Sequence, residues 1–243
     1  EPLPGNGATL NSYVSSLYQD LRGTIWIASN NGLYSYVNGQ FISYTTSEGL
    51  PSNIIFSIYE DQAQNLWLGT QAGVARINRD TTSAITRKEG LKIHSAFQLL
   101  EDRNGFFWIT SNQGIYKVAR SLLLAQENFR DYTPEERLYD KNDGMKVSDC
   151  TASEASVVRK DGSIWVATQM GIVVIEDPAK VYTNPHPPKV VIESVLVNGT
   201  PQDISSTIDI PPGAQRIVIN YTALNFLAPE KVEFRYVLHS FEQ

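Results

Sequence analysis

An all-β chain built from a repeated four-stranded unit is predicted by three observations in this 243-residue sequence. First, the stretch Asp61 to Ile77, DQAQNLWLGTQAGVARI, recurs in altered form at Asp20 to Tyr36, Asp102 to Val118 and Lys160 to Ile175. A fixed period of about 40 residues is the signature of a repeat architecture. Second, all four tryptophans, Trp26, Trp67, Trp108 and Trp165, hold the same place in these units, and Gly32, Gly73, Gly114 and Gly171 follow them at a constant distance. Third, Gly or Asn breaks each unit every 8 to 12 residues or so, with Ile, Val, Trp and Tyr between, which leaves no room for the paired helices of a helical solenoid. Four short strands per unit make a propeller blade, and blades stack on their buried apolar faces.

Taken in order, the first strand of a blade, strand a, is read over Leu10 to Tyr18, Pro51 to Tyr59 and Lys92 to Leu100. The near-continuous apolar run Ile54, Ile55, Phe56 and Ile58 fits a strand buried on both faces. The turn that follows opens on Asp20, Asp61 or Asp102, whose carboxylate can bond the backbone ahead. Strand b carries the tryptophan, as in Ile25-Trp26-Ile27-Ala28. A tight turn ending at the repeated Gly leads into strand c, Leu33 to Val37 in the first unit. Asn38-Gly39 suits a type I′ hairpin, which makes Phe41 to Tyr44 strand d.

The intervals between tryptophans are 41, 41 and 57 residues, so the third unit carries an insertion, near 119–137. Ser121 to Glu127 has good helix formers with Ser121 as a cap, which predicts a short helix before Pro134. Leu138 and Tyr139 then resume the pattern, because Tyr139 stands before Gly144 as Tyr44 stands before Gly49. The propeller region is thus expected over 1–183. A proline-rich linker at 184–188 marks a boundary. Beyond it the pattern changes to strands at Val190 to Val197, Arg216 to Tyr221 and Val232 to Leu238, with a turn at Asn198-Gly199. These read as the first half of an antiparallel β-sandwich over 189–243, whose remaining strands are expected beyond Gln243.

Composition weighs against several function classes. A formal charge of -6 and a pI near 5.1 argue against a nucleic-acid or anionic-membrane partner. Cys150 is the only cysteine, so no internal disulfide forms, and with no flanking base it reads as a packed thiol. No apolar run is long enough to span a bilayer, and the first ten residues have neither the basic nor the apolar segment of a secretion signal. Membrane attachment, if any, is expected through segments downstream of the chain. His94, His186 and His239 have no ligand spacing with cysteine or carboxylates, so neither a metal nor another cofactor is expected.

The strand directions place the d-to-a loops and the b-to-c turns on one face of a propeller. Asn11, Ser12, Ser52, Asn53, Ile93, His94, Lys146 and Asp149 then surround one channel mouth with Asn30, Asn31, Gln71, Asn112, Gln113 and Gln169. Side-chain amides both donate and accept, which suits hydroxylated ligands such as sugars, and Tyr13 offers a stacking surface. The candidate ligand-binding set is Asn30, Asn31, Asn53, Gln71, His94, Asn112, Gln113 and Gln169. Glu60-Asp61 and Glu101-Asp102 are not a glycosidic acid-base pair, since adjacent residues of a strand point to opposite faces. The tryptophans, once per blade among apolar neighbours, belong to interblade packing and not to a sugar ladder.

The unit Glu48-Gly-Leu-Pro-Ser-Asn53, Asp61, Trp67-Leu-Gly-Thr70 and Gly73-Val74 resembles the two-component regulator propeller repeat. Ile219-Asn-Tyr-Thr-Ala-Leu224, Ala228-Pro-Glu230 and Phe234-Arg-Tyr-Val-Leu238 resemble the start of the Y-Y-Y domain, an immunoglobulin-like sandwich that follows such propellers. The resemblance implies a partial propeller of about four four-stranded blades followed by a partial immunoglobulin-like sandwich. It also implies a non-catalytic periplasmic sensor whose output, a histidine kinase or GGDEF diguanylate cyclase, lies beyond a membrane helix, and whose ligand is a small molecule or oligosaccharide. Family propellers usually have about seven blades, so an open array of four is expected to pair with a second copy through its exposed faces, as a homodimer, or to be stabilised by segments outside the chain. Two readings from other classes stand beside this one, a propeller enzyme acting on polysaccharide and a protein-binding scaffold.

Overall fold

Each repeat closes its first hairpin on one carboxylate. In the computed structural model, which describes residues 12–78, 81–125, 136–181, 188–210, 212–213, 215–224, 232 and 234, Asp61 Oδ1 accepts the backbone N–H groups of Ala63 and Asn65, both at 2.9 Å, and Oδ2 accepts the indole N–H of Trp67 at 2.9 Å. Asp20 serves Arg22, Thr24 and Trp26 in the same way, and Asp102 serves Asn104, Phe106 and Trp108. Two of these bonds fix the turn and the third aims the indole. The fourth repeat departs from the pattern. Its strand pairing aligns Arg159, not Lys160, with the aspartates, which is also the position six residues before Trp165, so the unit spans Arg159 to Ile175. There Trp165 donates to Ser163 Oγ at 3.2 Å, and Ser163 is held by Asp161.

The first blade consists of β1 (Val14–Gln19), β2 (Ile25–Ser29), β3 (Gly32–Val37) and β4 (Gln40–Tyr44), paired antiparallel in chain order. The second is β5 (Ile55–Glu60), β6 (Leu66–Thr70), β7 (Gly73–Asn78) and β8 (Thr81–Ile85). The third is β9 (Leu99–Glu101), β10 (Phe106–Thr110), β11 (Ile115–Ala119) and β12 (Arg137–Tyr139). Asn38 and Gly39 both take positive φ, as a type I′ turn requires.

The inner strands start later than the sequence predicts, at Val14, Ile55 and Leu99, and a second local motif closes each of the first three units ahead of the strand that follows. Thr45 and Glu48 make a capping box around a 3-10 turn at Thr46–Glu48, and Asp140 and Asp143 repeat it around Lys141–Asp143. Thr86 and Glu89 make the same bonds in the second unit. Each box satisfies backbone donors that a tight turn leaves free. Its effect is to turn Leu50, Leu91 and Met145 into three successive interblade cores.

These cores explain the tryptophan period. Trp26 packs between the first and second blades, Trp67 between the second and third, and Trp108 between the third and fourth. Trp67 and Trp108 are fully buried. A second stitch runs along the inner strands, where Tyr18 donates to Glu60 at 2.9 Å and Tyr59 to Glu101 at 2.8 Å. Burial and the bond to Glu60 push the Tyr18 phenol up to about 12. The glutamates beside the turn aspartates are therefore acceptors in blade packing.

The insertion contains the helix α1 (Arg120–Leu124), which starts one residue before Ser121, and Ser121 gives it no side-chain cap. Its Leu122 and Leu123 are buried in the second interblade core instead, so tertiary burial holds the helix where local capping does not. Ala125 ends the helix, its N–H donating to Ser121 O and Leu122 O, and Gln126, Glu127 and Pro134 lie outside the described residues.

The fourth blade has three described strands, β13 (Val157–Val158), β14 (Ile164–Thr168) and β15 (Gly171–Ile175), and not the four expected. After Ile175 the chain crosses to the third blade. Lys117 Nζ donates to Pro178 O at 3.1 Å while lying over the rings of Phe106 and Trp108, and Val181 joins the third core.

The chain divides into two compact units, Glu1–Val181 and Tyr182–Gln243. In the second unit, β16 (Val190–Val197) pairs with β17 (Thr200–Pro201) and with β18 (Ile217–Ala223) in one antiparallel sheet, with Asn198 and Gly199 at positive φ in the turn. Of the strand predicted over Val232 to Leu238, Val232 and Phe234 are described, and the Phe234 ring lies edge-on to Tyr221 at 4.8 Å. Most of the proline-rich linker lies outside the described residues.

Asp61 carries a pH consequence. Burial opposes its ionisation, but the bonds from Trp67, Asn65 and Ala63 outweigh that cost and hold its carboxyl below the ordinary value. A depressed folded pKa stabilises the fold above the unfolded pKa, and the contribution disappears as pH falls through the folded one. Asp61→Asn, which cannot ionise, is expected to lose stability less steeply than the parent below about pH 4. Urea midpoints measured across that acid range check it, and parallel profiles would remove Asp61 from the acid response.

Candidate functional site

The rim of the blades is assembled from turns that are rigid for local reasons. In each b-to-c turn a hydroxyl spans the reversal: Ser29, Thr70, Ser111 and Thr168 donate to the carbonyl of Gly32, Gly73, Gly114 and Gly171, at 2.8 to 2.9 Å. The same hydroxyl oxygen accepts from Asn31, Ala72 or Gln113 in the first three. Backbone bonds then tie each turn to the start of an inner strand. Asn30 donates to Tyr13 O, Gln71 to Ile54 O and Gln169 to Asp149 O, while Gly32 donates to Asn53 O and Cys150 to Ser111 O.

The d-to-a loops therefore lie between neighbouring b-to-c turns, and the predicted residues fall along one rim. Their side chains divide into two groups. Three have an acceptor already engaged in the scaffold: Asn30 Oδ1 takes the N–H of Tyr13 at 3.1 Å, Asn53 Oδ1 that of Thr46 at 2.9 Å, and Gln113 Oε1 the Tyr116 hydroxyl at 2.9 Å. The other five, Asn31, Gln71, His94, Asn112 and Gln169, are exposed and make no side-chain hydrogen bond among the described residues. Beside them, Ser95 Oγ donates to Gln71 O at 3.0 Å, which holds the His94 loop against the Gln71 turn. Tyr13 is 76% exposed, so its ring is accessible from solvent. Asn11, His186 and His239 lie outside the described residues.

A recess of about 370 Å³ lies elsewhere, along the inner strands β5, β9 and β13. Its polar wall comes from Tyr59, Gln98, Glu101, Glu154 and Ser156. Glu154 reaches across two blades to accept the N–H of Ile58 at 2.8 Å, and Gln98 clamps Ser156 by bonding both its carbonyl and its N–H. Glu101 accepts from Tyr59 and faces the Arg120 guanidinium at 3.4 Å. The Tyr59 phenol is pushed up strongly, first by burial and then by Glu101. These contacts join residues 58 and 96 positions apart, and no local pattern announces them. Cys150 sits in the third core with its thiol pushed up to about 11 by burial, which makes it a poor nucleophile.

Against known families, residues 49–72 match the two component regulator propeller. No curated protein matches the chain in sequence. Among solved structures, the chain is similar to the extracellular domain of BT3049 of B. thetaiotaomicron, designated a hybrid two component system, at 22% identity and a TM-score of 0.64, covering 92% of this chain and 31% of that one. It is similar also to the extracellular domain of BT4673 from the same organism, at 14% identity and a TM-score of 0.51, covering 82% of this chain and 24% of that one. The chain thus spans a third or less of the length of these domains. What it shares with them is their all-β, propeller-type fold, to which it adds one matched family repeat at residues 49–72.

Proposed function

We propose that this chain is part of the extracytoplasmic, non-catalytic sensing region of a bacterial membrane signalling protein, and that it takes a carbohydrate-like ligand on the amide-bearing rim. The observation that carries the proposal is the set Asn31, Gln71, His94, Asn112 and Gln169. These exposed side chains stand on turns that are held by their own hydroxyl and backbone bonds. Polar groups fixed on a stiff frame lose little freedom on binding, and amides match the mixed donor and acceptor character of sugar hydroxyls. The similarity to extracellular domains of two-component systems supports the sensing role and a periplasmic location. In this proposal the second unit begins a Y-Y-Y domain that relays the bound state to a kinase or cyclase elsewhere in the polypeptide. A signal passes only if the ligand prefers one arrangement of these parts over another.

The test is titration of the chain with a panel of neutral and acidic oligosaccharides, alongside the variant carrying Asn31→Ala, Gln71→Ala, Asn112→Ala and Gln169→Ala. The expected result is saturable binding that weakens roughly tenfold or more in the variant, equivalent to about 1.4 kcal/mol, with an unchanged melting temperature. Unchanged affinity in the variant would move the ligand off the rim. Turnover of the oligosaccharide that disappears in Glu154→Gln would instead support the enzyme reading, with the recess as its site.

A further inference from the structure

The inner loop of the fourth blade is longer than its counterparts, and the added length delivers a charge. Tyr59 and Leu100, which pair with Trp67 and Trp108, stand 10 residues after Gly49 and Gly90, whereas Val157, which pairs with Trp165, stands 13 after Gly144. The three added residues fall after Cys150, because its N–H bonds Ser111 O as that of Ala96 bonds Thr70 O. The lengthened stretch Ala152-Ser153-Glu154-Ala155 is exposed. From it Glu154 reaches back to the second blade, where its Oε1 accepts the Ile58 N–H at 2.8 Å. It thereby helps to wall the recess of about 370 Å³ along β5, β9 and β13.

The bonds already made in that recess define what is left to bind. Tyr59 O–H is spent on Glu101, Ile58 N–H on Glu154, and both ends of the Gln98 amide on the Ser156 backbone. The free capacity is therefore mostly acceptor: the second oxygen of Glu154 and the remaining lone pairs of Glu101 and of the Tyr59 oxygen. Glu101 has the Arg120 guanidinium at 3.4 Å, but Glu154 makes no ion pair among the described residues. Among those residues, no lysine, arginine or histidine lines the recess. One backbone N–H needs only a neutral acceptor, so the tie to Ile58 does not account for the charge of Glu154. The rest of the lining is apolar, from Ile58, Leu99, Leu100, Val157 and Val158. No group of three side chains able to hold a metal ion occurs among the described residues, so the complement of this wall is an organic cation.

We propose that the recess binds a small primary ammonium compound with an apolar body, its N–H donors bonding Glu154 and its body lying against Leu99, Val157 and Val158. The volume lies toward the lower end for ligand pockets, which suits a molecule of that size. Charge attraction in a recess with apolar walls is stronger than on an open surface, because less water screens it. The site takes a different chemistry from the rim, and its occupation does not depend on what the rim binds.

The test is an NMR titration of the 243-residue chain with four probes, pentylamine, 1-pentanol, glucosamine and glucose, which separate charge from body. Pentylamine is expected to saturate in the millimolar range or below, to shift the amides of Ile58, Glu101 and Val157, and to bind at least tenfold more tightly than 1-pentanol. Glucosamine is expected to bind more weakly than pentylamine, and glucose not to bind the recess. Raising sodium chloride from about 50 to about 500 mM is expected to weaken pentylamine and leave 1-pentanol unaffected. Glu154→Gln keeps an oxygen for the Ile58 N–H, so it is expected to retain the parent melting temperature while weakening pentylamine at least tenfold. If the variant fails to fold, the comparison of pentylamine with 1-pentanol on the parent chain still decides. Equal binding of those two probes, unchanged affinity in folded Glu154→Gln, shifts confined to the rim turns, or no saturation at about 20 mM would overturn the proposal. Glucose binding in the recess as tightly as pentylamine would do so as well, by making the ligand a neutral sugar.

Discussion

Trp67→Ala is expected to lower the stability of the propeller unit by about 3 to 5 kcal/mol, the range for truncating a large aromatic side chain in a packed core. The indole is fully buried. It packs edge-on against Phe107 of the next blade at a ring separation of 5.0 Å, with the Arg76 guanidinium 5.9 Å from its ring centre. Truncation opens a cavity between two blades and also leaves the buried Asp61 carboxylate without its indole donor. Trp165→Ala is the internal comparison. Trp165 holds the same place in its repeat, but it is only partly buried, its partner is a serine hydroxyl at 3.2 Å, and no described blade follows it. It is expected to cost less than half as much. Urea midpoints of the two variants decide the matter, and equal losses would refute the assignment of these tryptophans to interblade packing.

Gly114→Ala is expected to be comparably damaging, for a different reason. A Cβ there would collide with Tyr139 O and lie 2.9 Å from Leu138 Cδ1, and the φ of +142° is itself strained for any other residue. Strain of this kind costs about 1 to 3 kcal/mol, and displacement of β12 adds to it, so a loss of about 3 kcal/mol or more is expected. Gly171→Ala carries the strain without the collision and is expected to stay near the low end of that range, at about 1 kcal/mol. The difference between the two variants isolates the contribution of the outer strand. Similar melting temperatures for both would mean that the carbonyl contact in the third blade carries no weight.

The sequence displays the scaffold more openly than the rim. Asp61, Trp67 and Gly73 act within a span of 13 residues, and their turn, indole bond and strand reversal are all local. The return of the pattern at Tyr139 was equally legible, since the Tyr-to-Gly spacing survives the insertion. The Thr45 and Glu48 box, repeated at Thr86 and Glu89, was also written in the sequence as a Thr-x-x-Glu pattern before Gly-Leu. Ser121 misled in the opposite direction, because its cap chemistry is outweighed by the burial of Leu122 and Leu123. On the rim, sequence reasoning placed eight polar residues on one face. It had no means of separating Asn30, Asn53 and Gln113, which serve the scaffold, from Asn31, Gln71, His94, Asn112 and Gln169, which do not.

By itself the sequence determined the repeat, the strand order within a blade and the role of the tryptophans, because those follow from bonds between residues a few positions apart and from apolar periodicity. Tertiary structure decided the rest. The reach of Glu154 to Ile58 and the stitches from Tyr18 to Glu60 and from Tyr59 to Glu101 depend on which blades stand side by side. That proximity is set by packing across dozens of residues, where hydrogen-bond partners share no local pattern. Gly171 shows the division most clearly: its place in the repeat is plain from the sequence, but only the folded chain shows that no described strand lies over it as β4, β8 and β12 lie over Gly32, Gly73 and Gly114.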